Sequence, residues 1–315
     1  MGQYALLVGI NKFRQGDIQN QDLRGCVEDV AGKGQTRDHL VHRFGFKDSD
    51  IQMLLDERAK KKEIWSRLEQ YMAELKSGDT LVWWQSCHGT RYPMKDKKTG
   101  RLTVVDALCA TDFTWNEPGL DGPSLKKLFS RARPGVRILC AFDACHTGDT
   151  FRDLRPPGET TENSENYRKP RYVRPPADIL HRFRKLDRGL GQNPEKGETP
   201  SGLLFYSGCD SDQTSDDAYI EGTFHGAFTY TFWKTVNSSP ATASYLDLML
   251  GTRAALKATK HVQNCGLEGD PEEAKQPFLG GAKNTEPHPE EASLSHQGSF
   301  WGGYSVNDIP PEAGV

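Results

Sequence analysis

Strands alternating with helices along most of the sequence predict an α/β protein built on a largely parallel sheet. Two apolar runs carry that prediction furthest. Leu81–Trp84 and Val136–Phe142 each stop abruptly at small and reactive residues, as buried strands do when they deliver side chains to a sheet edge. The 315 residues, 36% of them apolar and 10% aromatic, are enough to bury a core in one large domain or two small ones.

The elements follow in order. Tyr4–Ile10 is a short apolar strand, and Leu23–Phe44 carries a helical pattern through Val27, Val30, His39, Leu40 and Phe44, closed by Gly45. Ile51–Leu55 is a second strand. Lys62–Leu75 is a helix with Ile64, Trp65, Leu68, Tyr71, Met72 and Leu75 along one side. Ser77-Gly78-Asp79 turns into the Trp83-Trp84 strand. A polar, Lys-rich loop at 91–101 leads to a hairpin around Val104–Cys109, then a helix over Ser124–Ser130 and the Val136–Phe142 strand. Gly202–Ser207 is a strand, Gly226–Val236 and Tyr245–His261 are helices, and Gln276–Leu279 is a last short strand.

The pattern breaks between 152 and 200. Seven prolines and eleven Lys or Arg without a hydrophobic period predict a long loop or linker there. The tail from 283 to 315 mixes Pro, Glu, Ser, Gly and His and is expected to pack loosely.

The net charge of −3 gives no general attraction to nucleic acid or to an anionic membrane. No apolar run approaches the roughly 20 residues that span a bilayer. Met1–Ile10 lacks a basic n-region and reads as a first strand rather than a signal peptide, which predicts a cytoplasmic protein. Cysteines at 26, 87, 109, 140, 145, 209 and 265 show no paired spacing, so neither a disulfide framework nor a structural zinc site is indicated.

The chemistry sits at the two strand ends, in Trp83-Trp84-Gln85-Ser86-Cys87-His88-Gly89 and Ala141-Phe142-Asp143-Ala144-Cys145-His146-Thr147-Gly148. His88 and Cys145 could act as base and nucleophile of a thiol dyad. Gly89 leaves a backbone N–H free to approach a substrate oxygen, and with the N–H of Cys145 could form an oxyanion hole. Taken singly, a Cys and a His are more often inert core residues, and Asp29 and Asp143 would read as a helix-surface carboxylate and a strand-end cap.

His88 precedes Cys145 by 57 residues, close to the spacing of a caspase signature. Ala5–Asn11, Leu23–Asp29, Ser86–Gly89, Asp143–Gly148 and Ser207-Gly208-Cys209 with Gln213-Thr214-Ser215 run in that family's order. The chain resembles the caspase-like cysteine peptidases, within them the metacaspase and bacterial caspase-homologue branch. Cys87 and Ala144 depart from its usual glycine and serine but stay small.

The resemblance implies a caspase-like fold, a mixed, mostly parallel six-stranded sheet flanked by helices. It implies a peptidase domain over 1–282, large-subunit-like to 151 and small-subunit-like from 201, around the 152–200 linker. It implies a cysteine endopeptidase with protein or peptide substrates and catalytic His88, Cys145 and Gly89. Asp29 and Asp143, with Cys26 and Ser86, would line a pocket selecting Arg and, less efficiently, Lys. The dyad requires no cofactor. Some metacaspases use calcium, and Asp106, Asp121, Asp149 and Asp153 stand at matching positions, although Gly122 and the basic 91–101 loop oppose it. An Arg-cutting enzyme would find its own processing sites at Arg155, Arg168, Arg171, Arg174, Arg182, Arg184, Lys185 and Arg188, for itself or for an upstream activating peptidase. Some bacterial homologues act in such cascades, in defence or cell death. The rival reading is a catalytically silent scaffold of the same fold.

Overall fold

A computed structural model describes residues 1–95, 102–116, 120–145, 167–179, 200–209, 215–259, 261 and 263–283. Its strands are β1 Gln3–Gly9, β2 Ile51–Leu55, β3 Thr80–Ser86, β4 Gly89–Lys95, β5 Leu102–Leu108, β6 Leu120–Asp121, β7 Arg137–Asp143, β8 Arg168–Pro170, β9 Leu203–Ser207, β10 Asp216–Ile220, β11 Thr223–Gly226 and β12 Gly266–Gly269. Six of these form one sheet in the order β12-β9-β7-β3-β1-β2. Every neighbouring pair is parallel except β12 on β9, so the expected mixed, mostly parallel sheet is present. Strands from both the 1–151 and the 201–282 segments share it.

A sheet covered on both faces explains why its strands read as unbroken apolar runs. Successive side chains face opposite sides. Leu6, Val8, Leu81, Trp83, Ile138 and Cys140 therefore enter one core, and Ala5, Leu7, Val82, Trp84, Leu139 and Ala141 the other. The first is covered by the helices Lys61–Glu74, through Ile64, Leu68 and Met72, and Gly122–Phe129, through Leu125 and Phe129. The second is covered by Ala227–Ser238, through Phe228, Phe232 and Trp233, and Tyr245–Ala258, through Leu248 and Leu256. Asp121 caps Gly122–Phe129 by accepting from the Ser124 N–H at 2.9 Å, and Ser244 with Asp247 forms a capping box on Tyr245–Ala258.

Four expectations change. The helix expected across Leu23–Phe44 is Cys26–Ala31, a turn at Gly32-Lys33-Gly34, and a second helical stretch from Thr36 to Arg43. Gly32 is extended and Gly34 has φ +67°, a conformation open to glycine. Thr36 ties the pieces together, its hydroxyl donating to the Asp29 carbonyl at 2.7 Å. The hairpin is longer than expected, because part of the polar 91–101 loop continues β4 against β5. The last strand is Gly266–Gly269, not Gln276–Leu279. Phe278–Gly280 is instead a short helical turn that buries Phe278 and Leu279.

Fourth, residues 167–179 of the expected linker do not form a loose loop. Arg168–Pro170 is a strand in a small antiparallel sheet, β11-β10-β8, and Arg171 beyond it is fully buried. The tail expected from 283 lies, except for Lys283, outside the described residues, as do 152–166 and 180–199 of the linker. Among the described residues no helix is long and apolar enough to cross a membrane.

Candidate active site

Parallel pairing sets Ser86, the last residue of β3, opposite Asp143, the last of β7. The chains that leave these strands carry His88 and Cys145 to the carboxyl edge of the sheet, where open α/β sheets hold ligands. Gly89 is required by the crowding there, since a methyl on it would overlap the Cys145 carbonyl. The N–H groups of Gly89 and Cys145 converge on one carbonyl oxygen, that of Arg171, at 2.9 and 3.2 Å.

His88 is buried, its ring 5.1 Å from that of Phe13. Nε2 donates to the Gln21 carbonyl at 2.6 Å. A carbonyl can only accept, so Nε2 carries the proton and Nδ1 keeps its lone pair, with no hydrogen-bond partner among the described residues. Burial pushes the imidazole down to about 3, so it is neutral at physiological pH. The Gln21 carbonyl, a backbone group, fixes the orientation of the ring.

Cys145 is equally buried, and burial, with Cys209 beside it, pushes its thiol well up. The S–H donates to the Ser215 carbonyl at 3.2 Å, while the Ser215 N–H donates to the sulfur. Cys145 rests here as a neutral thiol.

Beneath these groups lies an acidic pit. Asp29 comes from the helix Cys26–Ala31, Asp143 from β7 and Asp217 from β10, and all three are fully buried. Backbone and hydroxyl donors hold them. The Gly226 N–H donates to Asp29 at 2.8 Å, the Thr229 N–H and hydroxyl each donate to Asp143 at 2.8 Å, and the N–H groups of Arg24 and Gly25 donate to Asp217 at 2.9 Å. Ser86 donates to Asp29. Cys26 is buried at the start of the same helix, its thiol pushed well up by burial.

The pit already contains a guanidinium. Nη1 of Arg171 lies 2.8 Å from Asp29 and 3.3 Å from Asp143 and also donates to Ser86, while Nη2 donates to Asp217 at 3.0 Å. The carboxylates proposed to receive a substrate arginine thus surround an arginine of the same chain. One cation against three carboxylates leaves an excess of negative charge. Burial raises Asp143 despite Arg171, whereas Asp29, also opposed by burial, is drawn below the usual carboxylate range by Arg171 and His225.

Asp29 and Asp143 are therefore neither a helix-surface carboxylate nor a simple strand-end cap, and Arg171 is not an exposed linker residue. Arg168 is half-buried and Arg174 exposed, whereas Arg155, Arg182, Arg184, Lys185 and Arg188 lie outside the described residues. Of the calcium set, Asp149 and Asp153 also lie outside them. Asp106 is bound to Arg91 at 2.7 Å and Asp121 is committed to its helix cap. Ala107 pairs with Asp121, which puts Asp106 on the opposite face of the hairpin, so this pair does not converge on one ion. No group of three or more His, Cys, Asp or Glu suited to a metal occurs among the described residues.

The family follows from comparison with known sequences. Residues 3–154, which contain His88, Cys145, Asp29 and Asp143, match the family described as metacaspase, peptidase C14 domain. Residues 3–154, a little under half of the chain, are thus similar to the metacaspase family of caspase-like peptidases. Metacaspase-1A of Aspergillus clavatus is 27% identical over 286 residues, covering 82% of this chain and 64% of its own length. Metacaspase-1 of Botryotinia fuckeliana is 26% identical over 286 residues, covering 82% of this chain and 65% of its own. The chain thus spans a little under two thirds of these metacaspases. A crystal structure of protein GSU0716 from Geobacter sulfurreducens shares the fold, with a TM-score of 0.60 at 19% identity over 89% of this chain and 99% of that one.

Proposed function

We propose that the chain is a cysteine endopeptidase that cleaves after Arg, and less efficiently Lys, and is made as a zymogen restrained by its 152–200 segment. The observation that carries this reading is the convergence of the Gly89 and Cys145 N–H groups on one carbonyl oxygen directly above a three-carboxylate pit. Two donors aimed at one oxygen suit the charge that develops there during acyl transfer. Buried carboxylates facing a guanidinium suit selection of Arg over Lys, since only the planar fork can reach Asp29 and Asp217 at once.

In this mechanism His88 Nδ1 takes the thiol proton as sulfur attacks the scissile carbonyl carbon, and returns it to the leaving amine. His88 then draws a proton from the water that hydrolyses the thioester. The Gln21 carbonyl holds the proton on Nε2 and so leaves Nδ1 as the accepting nitrogen.

A fluorogenic peptide library presented to wild type and to Cys145→Ala, each with and without a calcium chelator, tests the reading. Cleavage after Arg is expected from wild type, with a loss of about a thousandfold or more in Cys145→Ala. Absence of Cys145-dependent cleavage of any peptide would return the silent scaffold. Full activity in chelator would exclude an obligatory calcium ion.

A further inference from the structure

We infer that Gln263 is a positioning residue for cleavage: it sets the peptide unit between Ser215 and Asp216, and that unit aligns the Cys145 thiol with the residue to be cut. The inference rests on the peptidase reading above and adds to it a residue outside every motif of the sequence.

The Ser215 carbonyl serves two donors. It accepts the Cys145 S–H at 3.2 Å and the Arg171 N–H at 2.9 Å. Arg171 is also the residue whose own carbonyl receives the Gly89 and Cys145 N–H groups. A substrate residue whose carbonyl takes that place would bring its N–H to the same Ser215 oxygen. One acceptor then fixes nucleophile and target relative to each other, and small errors in such an alignment are costly.

A carbonyl is aimed by whatever holds the rest of its planar peptide unit. In a trans unit the N–H points the opposite way, and here it belongs to Asp216. That N–H donates to Gln263 Oε1 at 3.1 Å. Gln263 Nε2 donates to the Gly208 carbonyl at 2.9 Å and lies 3.4 Å from the Ser215 hydroxyl. The Gly208 N–H in turn donates to the Phe142 carbonyl at 2.9 Å. One amide therefore ties the Ser215–Asp216 unit to the end of β9 and, through it, to β7, the strand that leads to Cys145. The hydrogen bonds run in series from thiol to carbonyl, across the peptide unit, to the glutamine, and each polarises the next.

A buried glutamine needs partners of some kind, but these three all lie on the chains that flank the thiol. Gln263 is itself held, being 2% exposed and fixed at both sides to the helix Tyr245–Ala258. Before it, the His261 N–H donates to the Leu256 carbonyl at 3.1 Å. After it, Arg253 on the helix grips the Cys265 carbonyl through Nε at 3.1 Å and Nη2 at 2.7 Å. A rigid support behind the groups that meet the reacting atoms is what keeps a site within its working geometry.

The test uses a fluorogenic peptide ending in Arg and its analogue with N-methyl-Arg, which has no N–H to give to Ser215. Gln263→Met keeps the volume and loses the amide. It is expected to lower kcat by about thirtyfold while KM changes less than about threefold, because Asp29, Asp143 and Asp217 still bind the side chain. N-methylation should lower kcat/KM of wild type by about tenfold or more, and of Gln263→Met by less than about threefold, since the carbonyl it silences is no longer aimed. Gln263→Glu supplies the rescue. A neutral carboxyl there accepts from Asp216 and donates to Gly208, whereas an ionised one only accepts. Its kcat, taken as a ratio to wild type at each pH, should therefore rise from pH 8 to 6; Asp216, His261 and Arg168, the cluster beside it, are common to both chains. If N-methylation costs wild type and Gln263→Met equally, the glutamine is only a packed side chain and the inference is overturned. Should Gln263→Met fail to fold, a Gln263→Glu ratio that is flat with pH overturns it instead. In both cases the peptidase reading stands. Wild type without any Cys145-dependent hydrolysis would overturn both.

Discussion

At the scale of single residues, His88 shows how burial and one hydrogen bond set a protonation state. Its folded pKa, near 3, lies below the ordinary value of 6.5, so the unfolded chain takes up the proton first as pH falls. The stability this group contributes is complete above pH 6.5 and is lost as pH falls toward 3, at up to about 1.4 kcal/mol per unit. Urea unfolding of the Cys145→Ala chain between pH 7 and 4 should show this slope, and His88→Gln should remove that part of it. An unchanged slope would mean the imidazole is not buried neutral. Gly226 is the second informative residue, because a Cβ there would collide with Asp143 and with the guanidinium in the pit. Gly226→Ala is expected to lower kcat/KM for Arg peptides by about a hundredfold or more, a cost equal to breaking a buried ion pair. Alkylation of Cys145 by a small haloacetamide should survive, which separates a filled pit from a lost dyad.

At the scale of elements, the cap on Gly122–Phe129 separates two readings of Asp121. As an N-cap its replacement by Ala costs about 1 kcal/mol, a drop of a few degrees in Tm without loss of peptide cleavage. A calcium ligand would instead lose a calcium response while keeping Tm in chelator. Strand and helix identities were largely legible because β1, β3 and β7 bury both faces and the long helices bury one. The small sheet was not legible. Asp216–Ile220 sits in a run of polar residues, and its partner Arg168–Pro170 lies in a Pro-rich basic stretch without alternation, so neither offers a periodic signal. Of the site, His88, Cys145, Gly89, Asp29 and Asp143 could be named from motifs. Asp217 was hidden by its polar neighbours, and the carbonyls of Gln21 and Ser215 are backbone groups that no side-chain pattern announces.

At the scale of the molecule, the pit joins segments far apart in sequence. Asp29 follows β1, Ser86 ends β3, Asp143 ends β7, Asp217 lies on β10, and Arg171 ties them together. The uncut chain should therefore lean on Arg171 for stability. Arg171→Gln in the Cys145→Ala background leaves three buried carboxylates without a cation and is expected to cost about 3–5 kcal/mol by urea unfolding at pH 7. Lowering the pH should narrow the difference from the parent, because protonated carboxyls no longer need the guanidinium. A constant difference from pH 7 to 4 would show that these carboxyls do not carry the cost.

The pairing of Ser86 with Asp143 works as a shared address for two strands. Moving either strand by one residue would exchange the faces taken by Trp83 and Trp84 and carry His88 away from Cys145 by the same slip. A single deletion inside Thr80–Ser86 should thus be far less tolerated than an insertion of many residues between β4 and β5. Length in this protein is rationed, residue by residue, in the two strands that lead to His88 and Cys145.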